Sequence, residues 1–330
     1  MKPVLVSESR LLHNFFNHCA RLPMKLTGLL ILLNSVLLVS EVRAEQLQIE
    51  LEHQGLARSL QLYIPDSLES KEGVALVVAL HGRTSNGQRM AELSELNARA
   101  DENGFIVAYP DGIDNKWNYL HGIWGYQETP NDSDFILAII EGIKQRYPID
   151  SSRVFATGIS NGGFMVQRLA CYAPQVFAGF ASVAASGYAH MMETCPPSPS
   201  VNMLYIHGTA DEKVPWQGMA VKDSEGNQQS VTMSVLDSVK FWGARNRCGP
   251  NVSSKELLPA GKSPGTHVKI FSSNDCHENA QVVLFAVIGG GHNWPGKANF
   301  IPPEVAGRVN MDIHASDVIW DFFAATRPTP

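Results

Sequence analysis

The chain has 330 residues, 44% hydrophobic and 18% charged, with a formal net charge of −6. That composition excludes a disordered, fibrous or multi-span membrane protein. The mild, unclustered negative charge also excludes the basic stripe that a phosphate backbone requires, so nucleic acid is not an expected partner.

The first element is a targeting segment. Lys25 precedes the apolar run Leu26 to Val39, and Val42-Arg43-Ala44 follows with residues a signal peptidase reads. Residues 1–44 are therefore expected to be a signal peptide cleaved after Ala44, and Met24-Lys25 would itself make an ordinary start. The apolar run is shorter than the roughly 20 residues of a membrane span, which predicts a secreted or periplasmic protein without a stable anchor. Residues 45–330 are read as a single catalytic domain, a length one α/β domain can hold.

Gln46 to Glu52 and Ser59 to Ile64 alternate apolar and polar residues, the period of a half-exposed antiparallel hairpin. Val74 to Leu80 is instead continuously apolar, as a strand covered by helices on both faces must be. Helical patterns near Met90 to Asn103 and Ser133 to Tyr147 flank a strand at Phe105 to Tyr109. The rhythm continues with strands at Val154 to Thr157, Phe180 to Ala184, Met203 to His207 and Val282 to Ile288. Helices are expected at Gly162 to Ala173, Thr232 to Arg245 and His314 to Ala324. The βαβα order implies α/β class: a mostly parallel central sheet with helices on both faces and an antiparallel N-terminal hairpin. Asn246 to Thr266 reads as a surface excursion stapled by Cys248.

Cys19 lies in the leader, leaving Cys171, Cys195, Cys248 and Cys276, an even number for an oxidising compartment. Two disulfides are expected; three connectivities are open, and proximity along the chain favours Cys171 with Cys195 and Cys248 with Cys276. Neither pair has C-x-x-C spacing, so no zinc ribbon is expected.

Three segments carry the chemistry. Gly158-Ile159-Ser160-Asn161-Gly162 stands between a strand and a helix, the setting of a nucleophile elbow. The flanking glycines suit a turn too tight for side chains. Asp211 ends His207-Gly208-Thr209-Ala210-Asp211 after one predicted strand, and His292 follows Gly289-Gly290-Gly291 after the last. A serine hydroxyl needs a base to take its proton as it attacks a carbonyl, and that base needs an acid to hold its tautomer. Ser160, His292 and Asp211 are assigned to these roles, in preference to His81, His121, His190, His207, His267 and His277 as base. The backbone N–H groups of Asn161 and of Arg83, which ends His81-Gly82-Arg83, are the expected oxyanion hole. This chemistry calls for no metal and no cofactor.

Several blocks resemble the secreted poly(3-hydroxybutyrate) depolymerase and feruloyl or acetylxylan esterase group of the α/β-hydrolase superfamily. They are Leu80-His81-Gly82, Trp117-Asn118, Asp132-Ser133-Asp134-Phe135-Ile136, the serine elbow through Gly163, the Asp211 block and Gly291-His292-Asn293-Trp294-Pro295-Gly296. The resemblance spans about residues 47 to 324 and implies the α/β-hydrolase fold and the same triad. Two positions depart from the group's pattern, Arg83 and Asp134, and their opposite charges predict a salt bridge at the pocket rim.

The expected activity is that of a serine carboxylic-ester hydrolase working through an acyl-enzyme on a polyester or oligoester. Feruloyl or acetylxylan ester hydrolysis on plant polysaccharide is the alternative. A non-catalytic carbohydrate-binding surface protein is the reading from another class, and the intact triad argues against it. Trp294, Trp117, Trp216 and Trp124 are the candidates to line the substrate pocket, because flat rings stack on sugars, phenolic acids or apolar polyester.

Overall fold

Val74–Leu80 has no polar break, and in the structure all seven residues are buried at the centre of a ten-stranded sheet. The structure, a computed structural model, describes residues 45–68, 73–122, 130–188, 190–222, 228–258, 260–298 and 302–326. The strands are β1 (Glu45–His53), β2 (Leu56–Ile64), β3 (Val74–Leu80), β4 (Phe105–Pro110), β5 (Ile149–Ile159), β6 (Gly179–Val183), β7 (Met203–Gly208), β8 (Met219–Lys222), β9 (Gln228–Thr232), β10 (Ser253–Leu257), β11 (His267–Ser273) and β12 (Val282–Ile288). The helices are α1 (Gly87–Ser94), α2 (Leu96–Asn103), α3 (Asp132–Lys144), α4 (Asn161–Tyr172), α5 (Met191–Thr194), α6 (Val235–Arg245), α7 (Pro303–Ala306) and α8 (Ala315–Ala325).

The sheet order is β1-β2-β4-β3-β5-β6-β7-β12-β11-β10. From β4 to β12 the strands are parallel, and β1 and β2 form the expected antiparallel hairpin. The chain turns outward to β4 after β3 and returns to the other side of β3 with β5, so the strand order reverses there. Ligands of open α/β sheets bind beyond the carboxyl ends of the strands at such a reversal. The pairings Leu80↔Gly158, Ile159↔Val183, Val183↔Ile206 and Gly208↔Val287 bring these ends into line. Loops beginning at His81, Ser160, Thr209 and Gly289 therefore leave one edge.

Two sequence expectations are corrected. The stretch after Asn246 is not a surface excursion alone: β10 and β11 add an antiparallel edge to β12, with Ile270↔Phe285 and Lys255↔Ile270 in register. Its exposed, charged pattern at β10 hides the strand from a periodicity argument. The predicted helix from Met90 to Asn103 is broken at Glu95, whose φ of 53° is left-handed and caps α1 while opening α2.

Alternate residues of each central strand feed separate cores. One face packs Leu76, Val78 and Ala156 beneath α3, α4 and α6, with Phe135, Leu169 and Trp242 fully buried. The other packs Ala75, Val77 and Phe155 beneath α1, α2 and α8, where Phe105 stacks on Trp320 and Phe155 on Phe323 at 4.0 and 4.5 Å. Disulfides join Cys171 to Cys195 and Cys248 to Cys276, the pairing that chain proximity favours. Among the described residues no helix is long and apolar enough to cross a membrane.

Candidate active site

Ser160 sits between β5 and α4 with φ 56° and ψ −120°, a conformation that L residues adopt only when their surroundings force it. The force is close packing. A Cβ at Gly162 would lie 2.2 Å from the Leu80 carbonyl oxygen, so only glycine lets the start of α4 lean on the end of β3. The Ser160 N–H donates to Val183 O at 2.9 Å, and Phe164 N returns to Ser160 O at 3.0 Å. The elbow is thereby clamped between β6 and its own helix.

Asp211 and His292 are joined directly. His292 Nδ1–H donates to Asp211 Oδ2 at 2.7 Å, with both residues buried. Asp211 Oδ1 accepts the backbone N–H groups of Lys213 and Val214 at 2.8 and 2.9 Å, which leaves Oδ2 to hold the imidazole. With the proton on Nδ1, Nε2 is the basic nitrogen. The two loops are laced by Ala210 N to Gly290 O at 2.9 Å and Gly289 N to Thr209 Oγ1 at 2.9 Å. A Cβ at Gly291 would lie 2.0 Å from Ala306 O, so glycine is required immediately before His292.

His207 stands beside the acid and differs from His292. Its Nδ1–H donates to Gly208 O at 3.0 Å, its Nε2 is 4.0 Å from Asp211 Oδ2, and burial pushes its pKa down. A neutral ring there leaves the Asp211 charge to His292.

The expected oxyanion donors share one brace. Asn161 Oδ1 accepts Trp117 N at 2.6 Å while Asn161 Nδ2 donates to Trp117 O at 3.2 Å. The Trp117 indole Nε1–H donates to His81 O at 2.9 Å. His81 is fixed in turn: its Nδ1–H donates to Gly82 O at 2.7 Å and its Nε2 accepts Gly112 N at 3.0 Å. Burial lowers the His81 pKa, so this ring is a neutral girder. Gly82 lies against Ser160, because a Cβ there would stand 3.5 Å from Ser160 Cβ. Asn161 opens α4 without a side-chain cap from Ser160, so its N–H is one of the first-turn donors that no intrahelical carbonyl accepts.

The rim salt bridge predicted between Arg83 and Asp134 is not formed. The Asp134 carboxylate instead accepts from Tyr172 Oη at 2.9 Å and Asn131 Nδ2 at 2.8 Å, both nearer along or across α3 and α4. The ion pair of this region is Arg58 with Asp132, at 2.7 Å and sealed from solvent. Burial pushes the Asp132 carboxyl up, opposed by the Asn118 N–H at 2.7 Å and by Arg58. Arg58 also donates to Asp111 O at 3.2 Å and lies 3.6 Å over the Phe135 ring. The pair thus ties β2 and α3 to the loop that carries Trp117. Sequence reasoning missed it, although a carboxylate at the start of the apolar run Phe135 to Ile140 signals a buried partner.

The four tryptophans part company. Trp294 is corrected: it is fully buried, its Nε1–H donates to Ser316 Oγ at 3.2 Å, and it packs in the core under α8 instead of lining a pocket. Trp117 lines a cavity of about 380 Å³ together with Arg83, Tyr119 and Asn161, but only 3% of it is exposed. Trp216 is half-buried, with its ring centroid 6.0 Å from that of His207 in an edge-on arrangement. Trp124 lies outside the described residues. Among those residues no three His, Cys, Asp or Glu side chains are grouped to hold a metal ion.

The family model of the Esterase PHB depolymerase matches residues 58–197. NocK of Nocardia uniformis subsp. tsuyamanensis, named as an esterase, is 30% identical over 279 residues, covering 81% of this chain and 79% of its own. A protein of Aspergillus niger named as feruloyl esterase C is 30% identical over 280 residues, covering 83% of this chain and 86% of its own. Among solved structures, the acetyl xylan esterase from Aspergillus awamori has the same fold, with a TM-score of 0.56 at 16% identity over 85% of this chain and 99% of that one.

Proposed function

The chain belongs to the Esterase PHB depolymerase family of α/β-hydrolases and is a carboxylic ester hydrolase, and from that premise we propose that Ser160, Asp211 and His292 act as its nucleophile, acid and base. The observation that carries the reading is the 2.7 Å bond from His292 Nδ1–H to Asp211 Oδ2 on the strand edge that also holds Ser160. His292 Nε2 takes the Ser160 Oγ proton as Oγ attacks the ester carbon. The N–H groups of Asn161 and Arg83 receive the oxyanion, a contribution of about 3 to 4 kcal/mol for each donor of this kind. Collapse expels the alcohol with the proton from His292 and leaves the acyl group on Ser160. A water deprotonated by His292 then attacks the acyl carbon, His292 returns that proton to Ser160 Oγ as the acyl–Oγ bond breaks, and the carboxylic acid departs.

An acyl group on a plant polysaccharide, feruloyl or acetyl, is the substrate best supported by the names of the relatives. The cavity beside Asn161 is a mixed polar and aromatic one of about 380 Å³, suited to such an acyl group and the sugar that bears it. A 3-hydroxybutyrate oligoester is the second reading, favoured by the family's description. Secretion or periplasmic export is part of the proposal: two disulfides support an oxidising compartment, and the leader at residues 1–44 lies outside the described residues.

Purified protein is expected to release p-nitrophenol from p-nitrophenyl acetate with an initial burst. Ser160→Ala should lower kcat roughly 10⁴- to 10⁶-fold, as for other serine hydrolases; undiminished turnover would remove Ser160 from its role. Methyl ferulate, acetylated xylan and a hydroxybutyrate trimer assayed side by side then rank the substrates.

A further inference from the structure

The exposed face of the β1–β2 hairpin carries a second concavity that the triad does not use. Leu47, Ile49 and Leu51 of β1 turn toward the core, which leaves Gln48 on the outer face directly paired with Gln61 of β2. Helix α1 packs on β3 and β4 and reaches β2. Between them lies a groove of about 520 Å³, within the roughly 300 to 1,000 Å³ of small-ligand sites.

Its lining is distinctive. Among the described residues, five carboxamides, Gln48, Gln61, Asn86, Gln88 and Asn115, surround it without one aromatic ring, and Asp111 and Asp114 add carboxylates. Asp111 is a strut: its Oδ1 accepts Gly87 N at 2.7 Å and its Oδ2 accepts Ser59 Oγ at 2.6 Å, which fixes the wall to both α1 and β2. Asp114 and Asn115 are held left-handed, at φ 51° and 56°, and Asn115 O accepts Thr84 N at 2.8 Å. That bond anchors the loop to the Arg83 segment. Ile113 and Asp114 line both this groove and the cavity beside Arg83, Trp117 and Asn161. Residues 113 and 114 therefore border both concavities, which places the hairpin groove next to the cavity of Arg83 and Asn161.

We infer that this groove is a distal subsite for the unesterified sugar chain of a neutral polysaccharide whose ester is presented to Ser160. The inference rests on the esterase reading and deepens it. Carboxamides donate and accept, and carboxylates accept; a sugar hydroxyl matches both, whereas the ester oxygens of a polyester chain donate nothing. Of the charges at this wall, Arg58 is paired with Asp132 and Lys116 stands 3.8 Å from Asp114, which leaves the Asp111 carboxylate to set the sign; it repels uronates, so the ligand is neutral. With a lining of carboxamides and carboxylates, binding comes from several modest hydrogen bonds, each about 0.5 to 1.5 kcal/mol, so affinity must grow with chain length.

The test is calorimetric titration of the Ser160→Ala protein with xylohexaose, cellohexaose and mannohexaose and with the matching disaccharides. At least one hexaose should bind tenfold or more tightly than its disaccharide, and the Gln48→Ala/Gln61→Ala variant, checked for folding by circular dichroism, should lose that advantage. Equal affinity for both lengths, no hexaose binding at all, or a length advantage that survives the double substitution would overturn the subsite. The esterase reading stands or falls separately on p-nitrophenyl acetate turnover by the unsubstituted protein. A protein that hydrolyses esters without any length dependence loses only the groove, and one that binds hexaose but hydrolyses nothing loses the esterase reading.

Discussion

Ser160 and His292 leave the same edge of one sheet, yet the structures beneath them are built on different principles. Under Ser160 the constraint is backbone against backbone: α4 leans on the end of β3 at Gly162, and Ser160 N is bonded to β6. Under His292 the close backbone approach of Gly291 to Ala306 O is joined by a mesh of side chains from distant segments. Asn293 Nδ2 donates to the carbonyls of Ala306, Gly307 and Arg308 at 3.2, 3.3 and 3.0 Å. Trp294 donates to Ser316, whose hydroxyl donates to Ser94 O, and Glu95 holds both Lys297 and His314. A backbone contact has no slack, so its loss should be all-or-none; a mesh should fail one strand at a time.

The largest effect should therefore come from the elbow. Gly162→Ala places a methyl carbon 2.2 Å from Leu80 O and 2.6 Å from His81 O, neither of which is a side chain that can rotate away. Overpacking of this kind costs about 1 to 3 kcal/mol, occasionally more, when the surroundings yield. Here yielding means moving the β3 loop that carries Gly82 and Arg83. Ester turnover should fall at least a hundredfold with a melting temperature lower by several degrees, and a variant within twofold of the parent in kcat would show that the elbow is not held by this contact.

The contrast also explains what could be read from the chain. Backbone constraint leaves a local spelling, so Gly158 to Gly162, Val74 to Leu80 and Val282 to Ile288 were legible as elbow and strands from residue type alone. The Cys pairing was legible from spacing for the same reason. The mesh has no such spelling: Glu95 meets Lys297 across some two hundred residues, and a left-handed glutamate at the α1–α2 joint looks like ordinary helix in sequence. Trp294 shows the cost of reading a site from proximity. It lies two residues from His292 but, with its ring in the α8 core, stands behind the base. The groove at Gln48 and Gln61 was hidden because exposed amides on an edge strand carry no periodicity beyond that of any half-exposed strand.

A graded response is expected at Trp294. Trp294→Ala empties a fully buried site at a cost of about 3 to 5 kcal/mol. Trp294→Phe keeps most of the volume but removes the Nε1–H to Ser316 and part of the indole, a change of about 1 to 2 kcal/mol. If the ring acts by holding the His292 loop, both variants should lower kcat more than they raise KM, with Ala well below Phe. A pair that lowers stability in that order while kcat stays at the parent value would make Trp294 a core residue and nothing more.

The smallest effect should appear at Glu95, and it carries a sign. Hydrogen bonds from Lys297 first, and from His314, hold the Glu95 carboxyl below the usual carboxylate range. A group whose pKa is lowered on folding stabilises the fold above its unfolded pKa, about 4.3 for glutamate, and that contribution is lost as the pH falls through the lowered value. Glu95 is 40% exposed at its side chain, so solvent screening keeps the contribution under about 1 kcal/mol. Thermal melts of the parent and Glu95→Gln should then differ by a few degrees at most at pH 6 and converge below pH 4. Curves that stay parallel down to pH 3 would mean that the charge of Glu95 contributes nothing to this side of the mesh, leaving Asn293, Trp294 and Ser316 to hold the base.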